Sequence, residues 1–82
     1  MSCLEVELRV YATLRKYLPA QPLGEGTLYQ AEPGTSVAGL LEQAGVPLDQ
    51  VKIIMVNNRH AGPERVLAHG DRVAVFPPVA GG

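Results

Sequence analysis

Apolar and polar residues alternate from Leu4 to Val10, with Glu5, Glu7 and Arg9 between Leu4, Val6, Leu8 and Val10. Period two predicts a strand over residues 4–11 with one buried face. Residues 12–18 suit a short helical turn with Leu14, Tyr17 and Leu18 on one side, ended by Pro19. Residues 22–26 have loop chemistry, and residues 27–30 read as a second strand, so the first thirty residues predict a wide antiparallel hairpin. Glu32-Pro33-Gly34 then turns the chain into its clearest helix, residues 35–45. Val37, Leu40, Leu41 and Ala44 fall at i, i+3, i+4 and i+7, one continuous apolar stripe. Thr35 or Ser36 can cap its first turn, and Gly45 can take the left-handed conformation that closes the last. Gly39 weakens the helix by about 1 kcal/mol relative to Ala, so packing must hold it.

The second half of the chain reads as strands. Residues 53–56, Ile-Ile-Met-Val, are a short apolar run of the kind found in a strand inside a sheet. Asn57-Asn58 suits a tight turn, because asparagine tolerates positive φ, and leads into a brief return strand at 59–61 ended by Gly62-Pro63. Residues 69–71 turn again into a last strand at 72–76. The order is β-β-α-β-(β)-β. One helix has one apolar stripe and a small sheet has one face to cover, so laying the helix across the sheet satisfies both. The expectation is an α+β fold of the β-grasp kind, a mixed sheet of about four to five strands covered on one face by a helix. The domain is expected to span residues 1–76, followed by a flexible C-terminal tail, 77–82. The uncovered face is where apolar residues would form a partner-binding patch. Whether Phe76 belongs to that patch or to the core is left open by the pattern.

Composition narrows the function classes. The 82 residues are 46% hydrophobic and 18% charged, with a net charge of -1, which fits one small globular domain. Lys and Arg are scattered, so a nucleic-acid backbone is not an expected ligand. Residues 1–9 lack the charged start and apolar block of a secretion signal, and no apolar run approaches the ~20 residues that span a bilayer. With a single cysteine, Cys3, there is no internal disulfide. A soluble cytoplasmic protein is expected. Cys3 reads as a small packing residue, His60 and His69 as surface histidines without partners at ligand spacing, and Asp71 as a shaper of the turn beside Gly70. Glycine-loop phosphate sites, Cys–His nucleophiles and metal-ligand clusters are all absent from the sequence, so no cofactor is expected on this chain.

The remaining feature is the ending, Phe76-Pro77-Pro78-Val79-Ala80-Gly81-Gly82. The prolines cannot continue an interior strand past Phe76, and they bias the residues after them towards an extended path. Six residues reach roughly 20 Å when extended. Beyond Val79 there is no bulky side chain, so the end suits a narrow channel in another protein, with the Gly82 carboxylate at its tip. A carboxylate becomes an acyl donor after activation on an ATP phosphate, and that ATP site would belong to a partner.

Residues 70–82, Gly-Asp-Arg-Val-Ala-Val-Phe-Pro-Pro-Val-Ala-Gly-Gly, resemble the end of the ubiquitin-like sulfur carriers, most of all the small subunits of molybdopterin synthase. Residues 10–15, 35–41 and 55–57 resemble that family's first turn, helix start and central strand. The resemblance implies that an E1-like enzyme uses ATP to adenylate Gly82 and that a sulfur donor protein converts the adenylate to a thiocarboxylate. A larger catalytic subunit would then receive the tail and build the dithiolene that holds molybdenum or tungsten. In that reading Gly82 carries the sulfur, Gly81 and Ala80 permit threading, and Phe76, Pro77, Pro78 and Val79 dock at the partner's mouth. The chain would then be no enzyme on its own. The same ending is shared by carriers serving tRNA thiolation, cysteine synthesis or tungsten cofactor formation. The thiamine-pathway carrier tends to lack the Phe-Pro-Pro-Val signature. A modifier joined to lysines is the other fate the ending fits.

Overall fold

The computed structural model describes residues 3–17 and 26–78. The alternation at the start of the chain forms β1 (Leu4–Val10), in which Val6, Leu8 and Val10 are buried and Glu5 is exposed. A short 3-10 helix follows at Ala12–Tyr17, burying Leu14. Next come β2 (Thr27–Ala31), α1 (Val37–Ala44), a second 3-10 turn at Leu48–Gln50, β3 (Ile53–Val56), β4 (Arg59–His60) and β5 (Arg72–Phe76). The five strands form one sheet in the order β2-β1-β5-β3-β4. Neighbours run antiparallel except β1 and β5, which are parallel, with Val10 opposite Val75. The sheet is therefore mixed, and its last strand lies in the middle.

Val37, Leu40 and Leu41, three of the four stripe residues, are buried, and Ala44 packs at the edge of the same cluster. They meet Val6, Leu8 and Val10 of β1, Ile54 and Val56 of β3, and Val73 and Val75 of β5 in a single core. Each side chain of this size buried from water is worth roughly 1.5–3 kcal/mol, which outweighs the helix-weakening effect of Gly39. This is the β-grasp arrangement expected from the pattern.

Of the two candidates for the helix cap, Ser36 takes the role: its Oγ accepts from the Gly39 amide at 3.2 Å. The Thr35 hydroxyl instead donates to the Glu32 carbonyl at 2.7 Å and closes the turn before the helix. Gly45 has φ 83° and ends the helix as expected. Residues 61–68, of which the sequence assigns only Ala61 to an element, the return strand that here ends at His60, are fastened to the helix start. The Val37 and Ala38 amides donate to the Arg65 and Pro63 carbonyls, both at 2.9 Å, and the Leu67 amide donates to the Thr35 carbonyl. An isolated bridge joins Ser36 to Val66, and Leu67 is buried. Two amides that a helix start leaves without intrahelical partners are thus satisfied by a distant loop, a pairing with no local sequence signal. The expected turn at Leu18 and Pro19 and the loop at 22–25 lie outside the described residues.

Candidate functional site

Alternation that buries one face of the sheet places the other residues on the face away from α1. On that open face lie Glu5, Glu7 and Arg9 of β1 with Tyr11 just after it, Arg72, Ala74 and Phe76 of β5, and Ile53 and Met55 of β3. Register sets their neighbours: Met55 opposite Ala74, Ile53 opposite Phe76, Glu7 opposite Arg72. The run at 53–56 is therefore apolar on both sides, with Ile54 and Val56 in the core and Ile53 and Met55 on the open face. Its continuous apolarity comes from a second, uncovered apolar surface and not from burial of both faces.

The orientation of Phe76, open in the sequence, is now fixed. Its ring lies on the open face, stacked on Tyr11 with centroids 4.6 Å apart and planes 12° from parallel. Such a pair contributes about 0.5–1.5 kcal/mol beyond the area it covers. The Phe76 carbonyl accepts from the Lys52 amide at 2.8 Å, which ties the end of β5 to β3 as well. Tyr11, Ile53, Met55, Ala74 and Phe76 make an apolar end to the open face. Tyr11 and Ile53 each keep 36% of their surface in water. Strand pairing stops at Phe76, as the prolines require; Pro77 is half-buried and Pro78 exposed. Three of the expected docking residues, Phe76, Pro77 and Pro78, therefore lie at the rim of this apolar end. The remaining expected partner-binding residues, Val79, Ala80 and Gly81, and the expected sulfur-carrying Gly82 fall outside the described residues.

Charge occupies the middle of the face. Arg9 Nε lies 3.6 Å from Glu7 Oε1, and Arg72 Nε lies 3.9 Å from the same oxygen. A hydrogen bond with the Tyr11 side chain, reinforced by the Glu7 carboxylate, holds the Arg9 guanidinium above its ordinary range. Both separations are longer than a hydrogen bond, so the ion pairs set the pattern of charge more than stability. Arg9, Tyr11, Ile53 and Met55 were not singled out from the sequence. Their signal was there: each sits at the parity opposite to a core residue, on or just after a strand that neighbours β5.

Among the described residues no group of three His, Cys, Asp or Glu side chains is placed to hold a metal. Cys3 is an exposed free thiol. His60 is exposed on β4, opposite Met55, whereas Nδ1 of His69 accepts from the Glu5 amide at 3.1 Å. Asp71 is buried and does more than shape its turn. Its Oδ2 accepts from the Ala68 amide at 2.8 Å, and its Oδ1 accepts from Asn57 Nδ2 at 2.9 Å. A groove of about 550 Å³ lined by Ala38, Gly39, Glu42, Val46 and Leu48 lies along α1, and it carries no chemical group that the open face lacks.

A model of the family described as Mut7-C ubiquitin matches residues 3–81. No curated protein matches the chain. Among solved structures, the HVO 2177 protein of Haloferax volcanii superposes with a TM-score of 0.74 at 27% identity, covering 98% of this chain and 88% of that one. Small archaeal modifier protein 1 of H. volcanii gives 0.72 at 19% identity, over 93% and 99%. The complex of subunits 1 and 2 of the molybdopterin-converting factor of Helicobacter pylori 26695 gives 0.56 at 20% identity, over 96% and 100%. At the last two identities the likeness is one of fold.

Proposed function

The chain belongs to the Mut7-C ubiquitin family, and from that premise we propose that it is a ubiquitin-like sulfur carrier whose working group is the carboxylate of Gly82. The observation that carries the reading is the continuity of β5 with the tail. The strand delivers Phe76, Pro77 and Pro78 from an uncovered apolar surface straight into Val79-Ala80-Gly81-Gly82. A partner that grips the apolar end of the face is thereby placed to receive the tail.

The chemistry is divided between chains. The Gly82 carboxylate attacks the α-phosphorus of ATP on an E1-like partner, and pyrophosphate leaves. Sulfide, delivered by a donor protein, adds to the acyl carbon of the adenylate, and AMP leaves a thiocarboxylate. The thiocarboxylate sulfur then attacks an electrophilic carbon of the acceptor and displaces its leaving group, and water hydrolyses the resulting thioester, which leaves the sulfur on the acceptor and restores the Gly82 carboxylate. The chain contributes the acyl group, its reach and its docking surface, and ATP serves as co-substrate on the partner. The finer assignment is the small subunit of a molybdopterin synthase, working with a larger catalytic subunit. The two-subunit complex from H. pylori favours it, as does the Phe-Pro-Pro-Val sequence at 76–79.

A second reading has its own support in the likeness to small archaeal modifier protein 1. A lysine amine can open the same adenylate in place of sulfide, giving an isopeptide bond and releasing AMP. Intact-mass measurement after incubation with ATP, sulfide and the E1-like enzyme of the same organism tests both. The carrier reading expects the oxygen-to-sulfur mass increase, absent from a variant lacking Gly82. Mass ladders on other proteins, without that increase, would replace it with the modifier. An unmodified chain beside an enzyme active on another carrier sinks both.

A further inference from the structure

Tyr11 and Phe76 each lie one position beyond the pair Val10 and Val75, which joins the parallel strands β1 and β5. Both rings therefore emerge from the open face at the end where β5 gives way to the prolines. They differ in how they are held. Tyr11 stands between the last residue of β1 and the 3-10 helix, and its carbonyl accepts from the Leu14 amide at 3.1 Å. The next residue, Ala12, has φ 54°, a left-handed conformation unfavourable for a residue with a β-carbon. Strain kept at such a position indicates that the surrounding structure demands it, and here it turns the chain sharply away from the sheet directly after Tyr11. Tyr11 is thus a fixed post. Phe76 is the last residue before the chain leaves the sheet, fastened on its β3 side through the Lys52 amide and on its β1 side by the Tyr11 ring.

We propose that Tyr11 is a positioning residue for acyl transfer from this chain: its ring pins Phe76 flat on the open face and so sets the direction in which Pro77 and Pro78 leave β5. The proposal rests on the carrier reading and adds a residue far from the tail in sequence to its working parts. Two prolines transmit a direction better than most dipeptides, because their φ angles are fixed. An error in aim at Phe76 changes the direction in which Pro77 and Pro78 leave the sheet towards the partner. A small misplacement of a reacting group is enough to slow a reaction severely while leaving binding intact.

Positioning and docking separate in kinetics. A docking contact changes the concentration needed for half-saturation, whereas a positioning contact changes the rate at saturation. ATP–pyrophosphate exchange on the E1-like enzyme of the same organism is measured against carrier concentration for wild type, Tyr11→Leu and Tyr11→Phe. Leucine keeps the position apolar but removes the flat ring; phenylalanine keeps the ring and loses only the hydroxyl. The expected result for Tyr11→Leu is a saturating rate about fivefold or more below wild type, with half-saturation within about twofold. Tyr11→Phe is expected to match wild type in both. A higher half-saturating concentration at an unchanged rate would make Tyr11 a docking contact and overturn the proposal, as would a Tyr11→Leu indistinguishable from wild type. If Tyr11→Leu loses its cooperative melt, Tyr11→Met replaces it with the same outcomes. Exchange absent even with wild type removes the carrier reading and this inference together; exchange with wild type and no effect at position 11 removes the inference alone.

Discussion

Asn57 and Asn58 occupy the same turn with the same left-handed backbone, φ 54° and 68°, yet only Asn57 is tied to the rest of the fold. Its backbone amide donates to the Arg72 carbonyl at 2.8 Å, its Oδ1 accepts from the Arg72 amide at 3.0 Å, and its Nδ2 donates to Asp71. Glycine satisfies the left-handed requirement at either position, so the two glycine variants isolate the side-chain bonds. Asn58→Gly is expected to leave the urea midpoint almost unchanged. Asn57→Gly is expected to lose about 2 kcal/mol, because it removes two side-chain bonds and leaves the buried Asp71 carboxylate short of a donor. The turn itself was legible, since adjacent asparagines between two strand-like runs point to positive φ. The link from Asn57 to Asp71 was not, because fourteen residues separate the partners and nothing local marks them. Tyr11 was hidden for a similar reason: its role depends on which strand lies beside it.

Elements were the most legible level, because their signals are periodic and local. β1, α1 and β5 lie where the pattern placed them, and α1 is closed by the cap types the sequence offered. The choice between Thr35 and Ser36 depended on backbone geometry: Ser36, extended at φ -89° and ψ 171°, aims its hydroxyl into the first turn. Ser36→Ala is expected to cost about 1 kcal/mol in thermal or urea unfolding. The loss should stay near that figure, because the Val37 and Ala38 amides keep their partners in the 61–68 loop. That loop and the Leu48–Gln50 turn were illegible, as neither carries an amphipathic period. At the sheet edge, Gln43 Nε2 donates to the Gln30 carbonyl at 2.9 Å, so a helix side chain covers part of the β2 backbone. An exposed edge strand invites pairing with other chains, and this contact reduces that opening.

At the scale of the whole molecule, the one α-helix among the described residues covers a single face of the five-strand sheet, and this asymmetry could be anticipated from the count of elements alone. Which residues populate that face required the register, since parity decides orientation and register decides neighbours. The covered side carries its own titration. Burial raises the pKa of Tyr29, which packs against the core from β2. A folded value above the unfolded one favours the neutral form, so the stabilisation is complete below about pH 10 and is lost as pH rises through the folded value. Chemical denaturation between neutral and strongly alkaline pH is expected to show wild type losing more stability than Tyr29→Phe. Strand order matters in a different way for assembly. β5 is the last strand to be made and lies between β1 and β3, so neither half of the sheet can join until it arrives. A fragment of residues 1–71 is expected to show no cooperative thermal transition, whereas residues 1–78 should melt as a folded unit. On the ribosome, the native sheet must wait for residues only a few positions before the tail. A prematurely released chain would then lack both its tail and its fold, leaving it open to proteolysis and a poor competitor for the partners of the finished protein.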